Sequence, residues 1–190
     1  MSANKVEYGL ENVHIAFITD GETPTWDTPV EIPGAVSFSA SPEGDVAEFY
    51  ADNVKYYIHE SNNGYTGELE IANIPDTVLA EMLGLLTDDN GMLVESAEDS
   101  PKEFALMFEV KGDAKNRRTV FYRCKPGRLE DNASTMEGSI DPNTKSIPLT
   151  VLPIETDDKY IKAVMELSET NETEYDAFFD AVTEPTVAAT

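Results

Sequence analysis

Short runs of alternating apolar and polar residues, separated by turn-forming clusters, dominate this chain and predict a mostly β fold. Val13, Ile15 and Phe17 alternate with His14, Ala16 and Ile18, and the run stops at Asp20-Gly21. Pro24, Pro29 and Pro33 break the next stretch, which leaves Trp26 in a loop or on a sheet edge. Residues 35–40 read as a strand, ended by Ser41-Pro42-Glu43-Gly44, and residues 46–50 and 54–59 as two more, rich in aromatic and β-branched side chains. Gly64-Tyr65-Thr66-Gly67-Glu68-Leu69-Glu70-Ile71 has the clearest period of two in the chain.

The period then changes. Pro75 and Asp76 suit the first turn of a helix, and Val78, Leu79, Met82, Leu83 and Leu86 recur at spacings of three and four. This predicts one flanking α-helix over about 75–86, weakened by Gly84 and ended by the turn Asp88-Asp89-Asn90-Gly91. Residues 103–110 resume β structure with Phe104, Leu106, Phe108 and Val110 on one face. Residues 112–116 form a turn, and 117–125 the returning strand of a protruding β-hairpin. Residues 129–140 are polar and weakly patterned, and Asp141-Pro142-Asn143 is a turn signal. Residues 147–154 contain Pro148 and Pro153 and read as an edge or interrupted strand. Residues 159–167 fit strand or helix by pattern, strand being favoured by context. Residues 173–182 read as a short C-terminal helix with Tyr175, Phe178, Phe179 and Val182 on one side.

At 190 residues the chain fits one domain spanning 1–190. Its less regular parts are an N-terminal arm (about 1–10), a Pro-rich loop (21–33) and a frayed tail (about 184–190). No apolar run is long enough to span a bilayer or serve as a secretory leader, and one cysteine, Cys124, excludes an internal disulfide framework. These features fit a protein made in a reducing cytoplasm.

Charge adds the sharpest contrast. The net charge is −24, which opposes ordinary nucleic-acid binding. Yet seven of the 13 basic residues fall within residues 111–128: Lys111, Lys115, Arg117, Arg118, Arg123, Lys125 and Arg128, with Asp113 the one acid among them. The predicted hairpin carrying them also holds Phe121 and Tyr122, so all nine are candidates for contact with an acidic face on another subunit.

Catalytic chemistry finds no foothold in the pattern. His14 and His59 lie in predicted strands without a nucleophile motif, and Cys124 reads as an ordinary strand thiol despite Arg123 and Lys125 beside it. Asp88-Asp89-Asn90-Gly91 lacks the spacing of a calcium loop, histidine and cysteine are too few for a zinc site, and no phosphate-binding glycine motif is present. Asn132-Ala133-Ser134 and Asn171-Glu172-Thr173 match a glycosylation sequon too short to carry weight. The expectation is a non-enzyme without cofactor or metal.

An ordered set of segments resembles the major tail proteins of long, non-contractile phage tails. It comprises Gly67-Glu68-Leu69-Glu70-Ile71-Ala72 with Ile74-Pro75, then Met82-Leu83-Gly84-Leu85 and Asp89-Asn90-Gly91. Lys102-Glu103-Phe104-Ala105-Leu106-Met107-Phe108-Glu109 and Phe121-Tyr122-Arg123-Cys124 come next. Val6-Glu7-Tyr8-Gly9-Leu10-Glu11-Asn12-Val13 and Tyr175-Asp176-Ala177-Phe178-Phe179 are similar to the ends of such proteins. The resemblance implies a β-sandwich or rolled barrel of the tail-tube type. Such subunits form hexameric rings, stack into a tube in the virion tail after assembly in the host cytoplasm, and pass DNA through the lumen without specific binding. It also implies tape-measure, tail terminator and distal tail proteins as partners. In that frame Glu68 and Glu70, which alternate with a clear apolar face, are candidates for the lumen lining. Two other readings share the strands and the acidity: a monomeric acidic β-sandwich binding or adhesion module, and a tail terminator or injection-tube subunit.

Overall fold

The computed structural model describes residues 6–19, 24–130, 143–156 and 158–186. Among these residues thirteen strands are present, the first seven being β1 (Leu10–Thr19), β2 (Thr25–Trp26), β3 (Val30–Glu31), β4 (Ala35–Glu43), β5 (Val46–Ala51), β6 (Val54–Glu60) and β7 (Gly64–Ile71). After helix α1 (Asp76–Leu83) come β8 (Leu86–Thr87), β9 (Leu93–Val94), β10 (Phe104–Val110), β11 (Arg117–Pro126), β12 (Lys145–Val151) and β13 (Lys162–Glu166). A short helix, α2 (Glu172–Asp176), continues as a single 3₁₀ turn over Ala177–Phe179. The mostly β expectation therefore holds, and the strand pairings are antiparallel.

Nine strands form one sheet in the order β2-β1-β10-β11-β12-β7-β4, with β3 on β1 and β13 on β11. β11 is where it divides. Its first half, Arg117 to Phe121, pairs with β13, and its end, Cys124 to Pro126, pairs with β12. Beyond that point β12, β7 and β4 turn over the first layer and enclose the main core. Phe38 of β4 meets Phe108 and Phe121 at ring distances of 5.1 and 5.4 Å, and Tyr65 of β7 meets Phe121 at 5.6 Å. Alternation assigns the faces: Phe104, Leu106 and Phe108 enter this core, while Ala105 and Met107 face a second cluster. The second cluster is closed by Trp26, Phe178, Phe179 and Val182, which is why the C-terminal segment folds back over the sheet.

Helix α1 buries Val78, Leu79 and Met82 against the main core, the face its periodicity marks. It stops at Leu83, earlier than the spacing implied, because Gly84 takes the left-handed conformation at φ 72° and caps the helix. Asp88-Asp89-Asn90-Gly91 instead turns the chain between β8 and β9. There the Asp88 carboxylate accepts from the amides of Asn90 (2.9 Å) and Met92 (2.7 Å). β12 also departs from expectation, since it lies inside the sheet between β11 and β7. Pro148 is tolerated because it turns its backbone toward the end of β11. Its carbonyl accepts from Gly127 N at 2.8 Å, just past the last paired residues, so no bond to β7 is lost.

The predicted helix over 173–182 is shorter than its pattern, and residues 159–167 contain a strand as favoured. Within the Pro-rich loop, Thr25–Trp26 and Val30–Glu31 each pair briefly with β1, which puts Trp26 on an edge. The readings for residues 1–5, 20–23, 131–142 and 187–190 lie outside the described residues.

Candidate assembly surface

The β10–β11 hairpin forms with the strands the pattern marked, and it lies in the middle of the sheet instead of protruding. Its two aromatics are core residues: Phe121 and Tyr122 are 2% and 1% exposed and offer no surface to a neighbour. Tyr122 donates its hydroxyl to Thr183 O at 3.1 Å, and burial raises its pKa to about 12.

Most of the basic residues meet acids of their own chain. The register sets Arg118 opposite Glu109 (3.1 Å) and Arg117 opposite Glu166, which Lys115 takes at 3.0 Å. Lys111 pairs with Glu11 at 2.7 Å, and Arg117 with both Asp113 and Glu7 at 2.6 Å. Arg123 pairs with Glu103 at 2.5 Å and Glu155 at 2.8 Å. Arg118 is also stacked over Tyr175 (3.9 Å) and Phe179 (4.8 Å) and donates to Tyr175 O, which clamps the C-terminal helix to the sheet. Lys125 is exposed, and Arg128 has only a loose contact with Glu95 at 3.7 Å. The cationic stretch is thus largely neutralised by folding.

Cys124 is fully buried, and burial pushes its thiol pKa upward. Arg123 and Lys125 flank it in sequence, and strand alternation turns their side chains away from the face it occupies. Asp113 is the buried anion of the β10–β11 turn. The Arg117 guanidinium, aided by the Lys115 and Arg117 amides, lowers its pKa from 3.8 to about 2. A carboxylate whose pKa falls on folding stabilises the protein above its unfolded pKa, and that share disappears as pH drops from about 4 to 2. In acid denaturation followed by circular dichroism, Asp113→Asn should lack this component of the wild-type pH dependence; parallel curves for the two proteins would contradict it.

A different hairpin stands off the sheet. Among the described residues β5 and β6 pair only with each other, and they continue the β4–β7 ribbon, joined to it by Ser61 N to Asp45 O and Asn63 N to Glu43 O, both 2.9 Å. Asp52 and Asn53, with φ of 51° and 61°, make the tight turn at its tip. Strands of six and seven residues carry that tip roughly 20 Å beyond the ribbon. Register and alternation put Ala47, Phe49, Ala51, Val54, Tyr57 and His59 on one face, where the Tyr57 and His59 rings stack at 6.4 Å. The opposite face carries Glu48 bonded to both Lys55 and Tyr50. Both faces are open: Phe49, Val54 and Tyr57 are each more than half exposed, as are Val46, Tyr50, Tyr56 and Ile58. Sequence reasoning found these two strands but not their exposure. The available signal was the consecutive run Tyr56-Tyr57-Ile58, where a strand with one buried face would alternate.

Glu68 and Glu70 lie on the outer face of β4, β7 and β12, opposite Leu69 and Ile71, which are buried. The neighbours on that face are Ser37, Ser39 and Ser41 of β4, Thr66 of β7, and Ser146, Pro148 and Thr150 of β12, with Lys125 of β11 beside Thr150. Hydroxyls hold the carboxylates. Glu70 accepts from Thr144 (2.6 Å) and Ser37 (3.0 Å), Glu68 from Ser146, and Glu43 from Thr66. The bonds from Thr144 and then Ser37 lower the Glu70 pKa, so it is firmly ionised at neutral pH. β4, at the end of the sheet path, has no strand on its other edge among the described residues. No group of three or more His, Cys, Asp or Glu among the described residues is placed to hold a metal ion.

No family model and no curated protein matches the sequence. Among solved structures the chain is similar to one in the anti-feeding prophage tube-terminating cap, at 12% identity, with 85% of this chain and 94% of that chain covered and a TM-score of 0.49. It is also similar to a chain of the sheath-tube complex of an extracellular contractile injection system, PVC, in its extended state (11% identity, 87% and 95% covered, TM-score 0.48). A chain of the anti-feeding prophage baseplate gives 11% identity, 87% and 97% coverage and a TM-score of 0.43.

Proposed function

We propose that this protein is a structural subunit that polymerises into the tube of a phage-type tail, as stacked hexameric rings with an acidic channel. The observation that carries the reading is the β5–β6 hairpin. A two-stranded hairpin is marginal alone in water, and one with exposed aromatics on a projecting arm marks a protein interface. The second edge of β4 supports it, because a strand edge is a template for pairing with another copy.

The face formed by β4, β7 and β12 suits the channel. Glu43, Glu68 and Glu70 are pinned by hydroxyls and repel phosphates, so a polyanion slides past without being captured. Lys125 is the cation at its margin. The assembly role assigned to the basic residues narrows to Arg128, which is exposed and meets Glu95 only loosely at 3.7 Å. Tape-measure, terminator and distal tail proteins are the partners this role would bring.

Sedimentation velocity over a rising concentration series at physiological salt tests the reading. It predicts species growing from monomer to large multiples, and a monomer at every concentration would overturn it. The channel assignment has its own test. Tubes of Glu68→Lys/Glu70→Lys should retain duplex DNA in a salt-dependent pull-down while wild-type tubes do not, and equal retention would contradict it.

A further inference from the structure

The sequence holds two Asn-Gly pairs, Asn63-Gly64 and Asn90-Gly91. Such a pair carries a latent reaction, because glycine has no side chain to keep its backbone nitrogen away from the asparagine amide. That nitrogen, once deprotonated, attacks the asparagine Cγ. The Cγ–Nδ2 bond breaks, ammonia leaves with the proton, and a five-membered succinimide closes. Water then opens the ring, at Cγ to give aspartate or at the main-chain carbonyl carbon to give isoaspartate. One water is consumed and one ammonia released, with no change in oxidation state. Ring closure needs the backbone to leave its place, so the fold decides which pair reacts.

The two pairs sit in opposite settings. Asn63 N donates to Glu43 O at 2.9 Å, Gly64 N donates to the Asn62 side-chain oxygen at 3.2 Å, and Gly64 is in register with Glu43. Gly64 is buried, and the Val151 carbonyl packs so closely that a Cβ on Gly64 would lie 1.9 Å from its oxygen. Asn90-Gly91 lies instead in the turn between β8 and β9, strands of two residues that pair only with each other among the described residues. Both residues are exposed, and beyond its chain neighbours no described atom lies within 4 Å of a Cβ position on Gly91. One residue holds this turn. The Asp88 carboxylate accepts from the Asn90 side-chain nitrogen at 3.1 Å and from the Asn90 and Met92 amides, and the Asp88 carbonyl accepts from Gly91 N at 3.0 Å. Both reacting groups are therefore tied to Asp88.

We infer that Asn90 is a site of self-modification, converting to aspartate and isoaspartate in the folded chain, while the sheet protects Asn63 and Asp88 sets the rate. Either product adds a carboxylate beside Asp88 and Asp89. Isoaspartate also lengthens the backbone by a methylene, which moves Gly91 N and Met92 N off Asp88 and opens the turn.

Full-length wild type, Asp88→Asn and Asp88→Ala are aged in mildly alkaline buffer, with each chain in urea as its unfolded reference. Cleavage after glutamate puts the two sites on separate peptides, 61–68 and 82–95, and mass spectrometry with isoaspartate standards follows each. Dividing each folded rate by its rate in urea removes the effect of neighbouring residues. In the wild type this ratio should be at least about tenfold higher for Asn90 than for Asn63. Asp88→Ala should speed Asn90 by about tenfold, and Asp88→Asn, which keeps one acceptor oxygen, by less, with Asn63 unchanged in both. If circular dichroism shows the alanine variant unfolded, Asp88→Asn carries the comparison. Equal ratios for the two asparagines overturn the assignment of Asn90, and an Asn90 rate unmoved in the folded Asp88 variants overturns the role of Asp88.

Discussion

Replacing Phe49 and Tyr57 together with aspartate abolishes assembly and leaves the subunit folded. Both side chains are more than half exposed and are directly opposed across the hairpin. Within the subunit they contribute a cross-strand pair, worth about 0.2–1 kcal/mol, beside the exposed Tyr57–His59 stack. The thermal midpoint of the sheet should move by no more than about 4 °C. At an interface the same pair counts as buried aromatic anchors, worth about 2 kcal/mol or more each, and aspartate adds the cost of burying unpaired charge. A loss of about 4 kcal/mol per contact weakens each by roughly a thousandfold. In the proposed tube the contact repeats in every subunit, so the variant should sediment as monomer at any concentration where the wild type forms larger species. Wild-type assembly by the variant would rule out the hairpin as the joint.

Gly67→Ala destabilises the subunit by about 3 kcal/mol, at the upper end of what overpacking usually costs. Gly67 sits in β7 between Ala40 of β4 and Leu149 of β12. A Cβ there would lie 2.1 Å from the carbonyl oxygen of Ser39 and 3.1 Å from the Cα of Ala40. Both are backbone atoms, so no side chain can swing aside and β4 itself must shift. The strain falls on the β4–β7 pairing, the ribbon that carries the hairpin. Thermal unfolding checks this directly. A fall of roughly 6–12 °C is expected for a chain of this size, and a midpoint within a degree of the wild type would contradict the steric argument.

What could be read from the chain alone divides along sequence distance. Alternation at Leu69 and Ile71 and at Phe104, Leu106 and Phe108 identified buried faces, because a strand's period of two is a local property. The α1 face was legible for the same reason. Gly84 was not, since whether a glycine weakens a helix or caps it depends on a backbone angle that composition does not carry. The basic stretch misled in a similar way. Its density along the chain is real, but Arg117 reaches Glu7, 110 residues earlier, and Arg118 is enclosed by Tyr175 and Phe179 from the far C-terminus. The exposure of the β5–β6 hairpin is a tertiary fact as well: composition marks its two strands, and only the folded structure shows Phe49, Val54 and Tyr57 more than half exposed.

Electron microscopy of the concentrated full-length protein tests the central claim most directly. The tube reading predicts stacked rings whose channel is lined by Thr66, Glu68 and Glu70, with each β5–β6 hairpin crossing to the next copy. A protein that stays monomeric on the grid and in solution, or tubes that turn the β4–β7–β12 face outward, would contradict it.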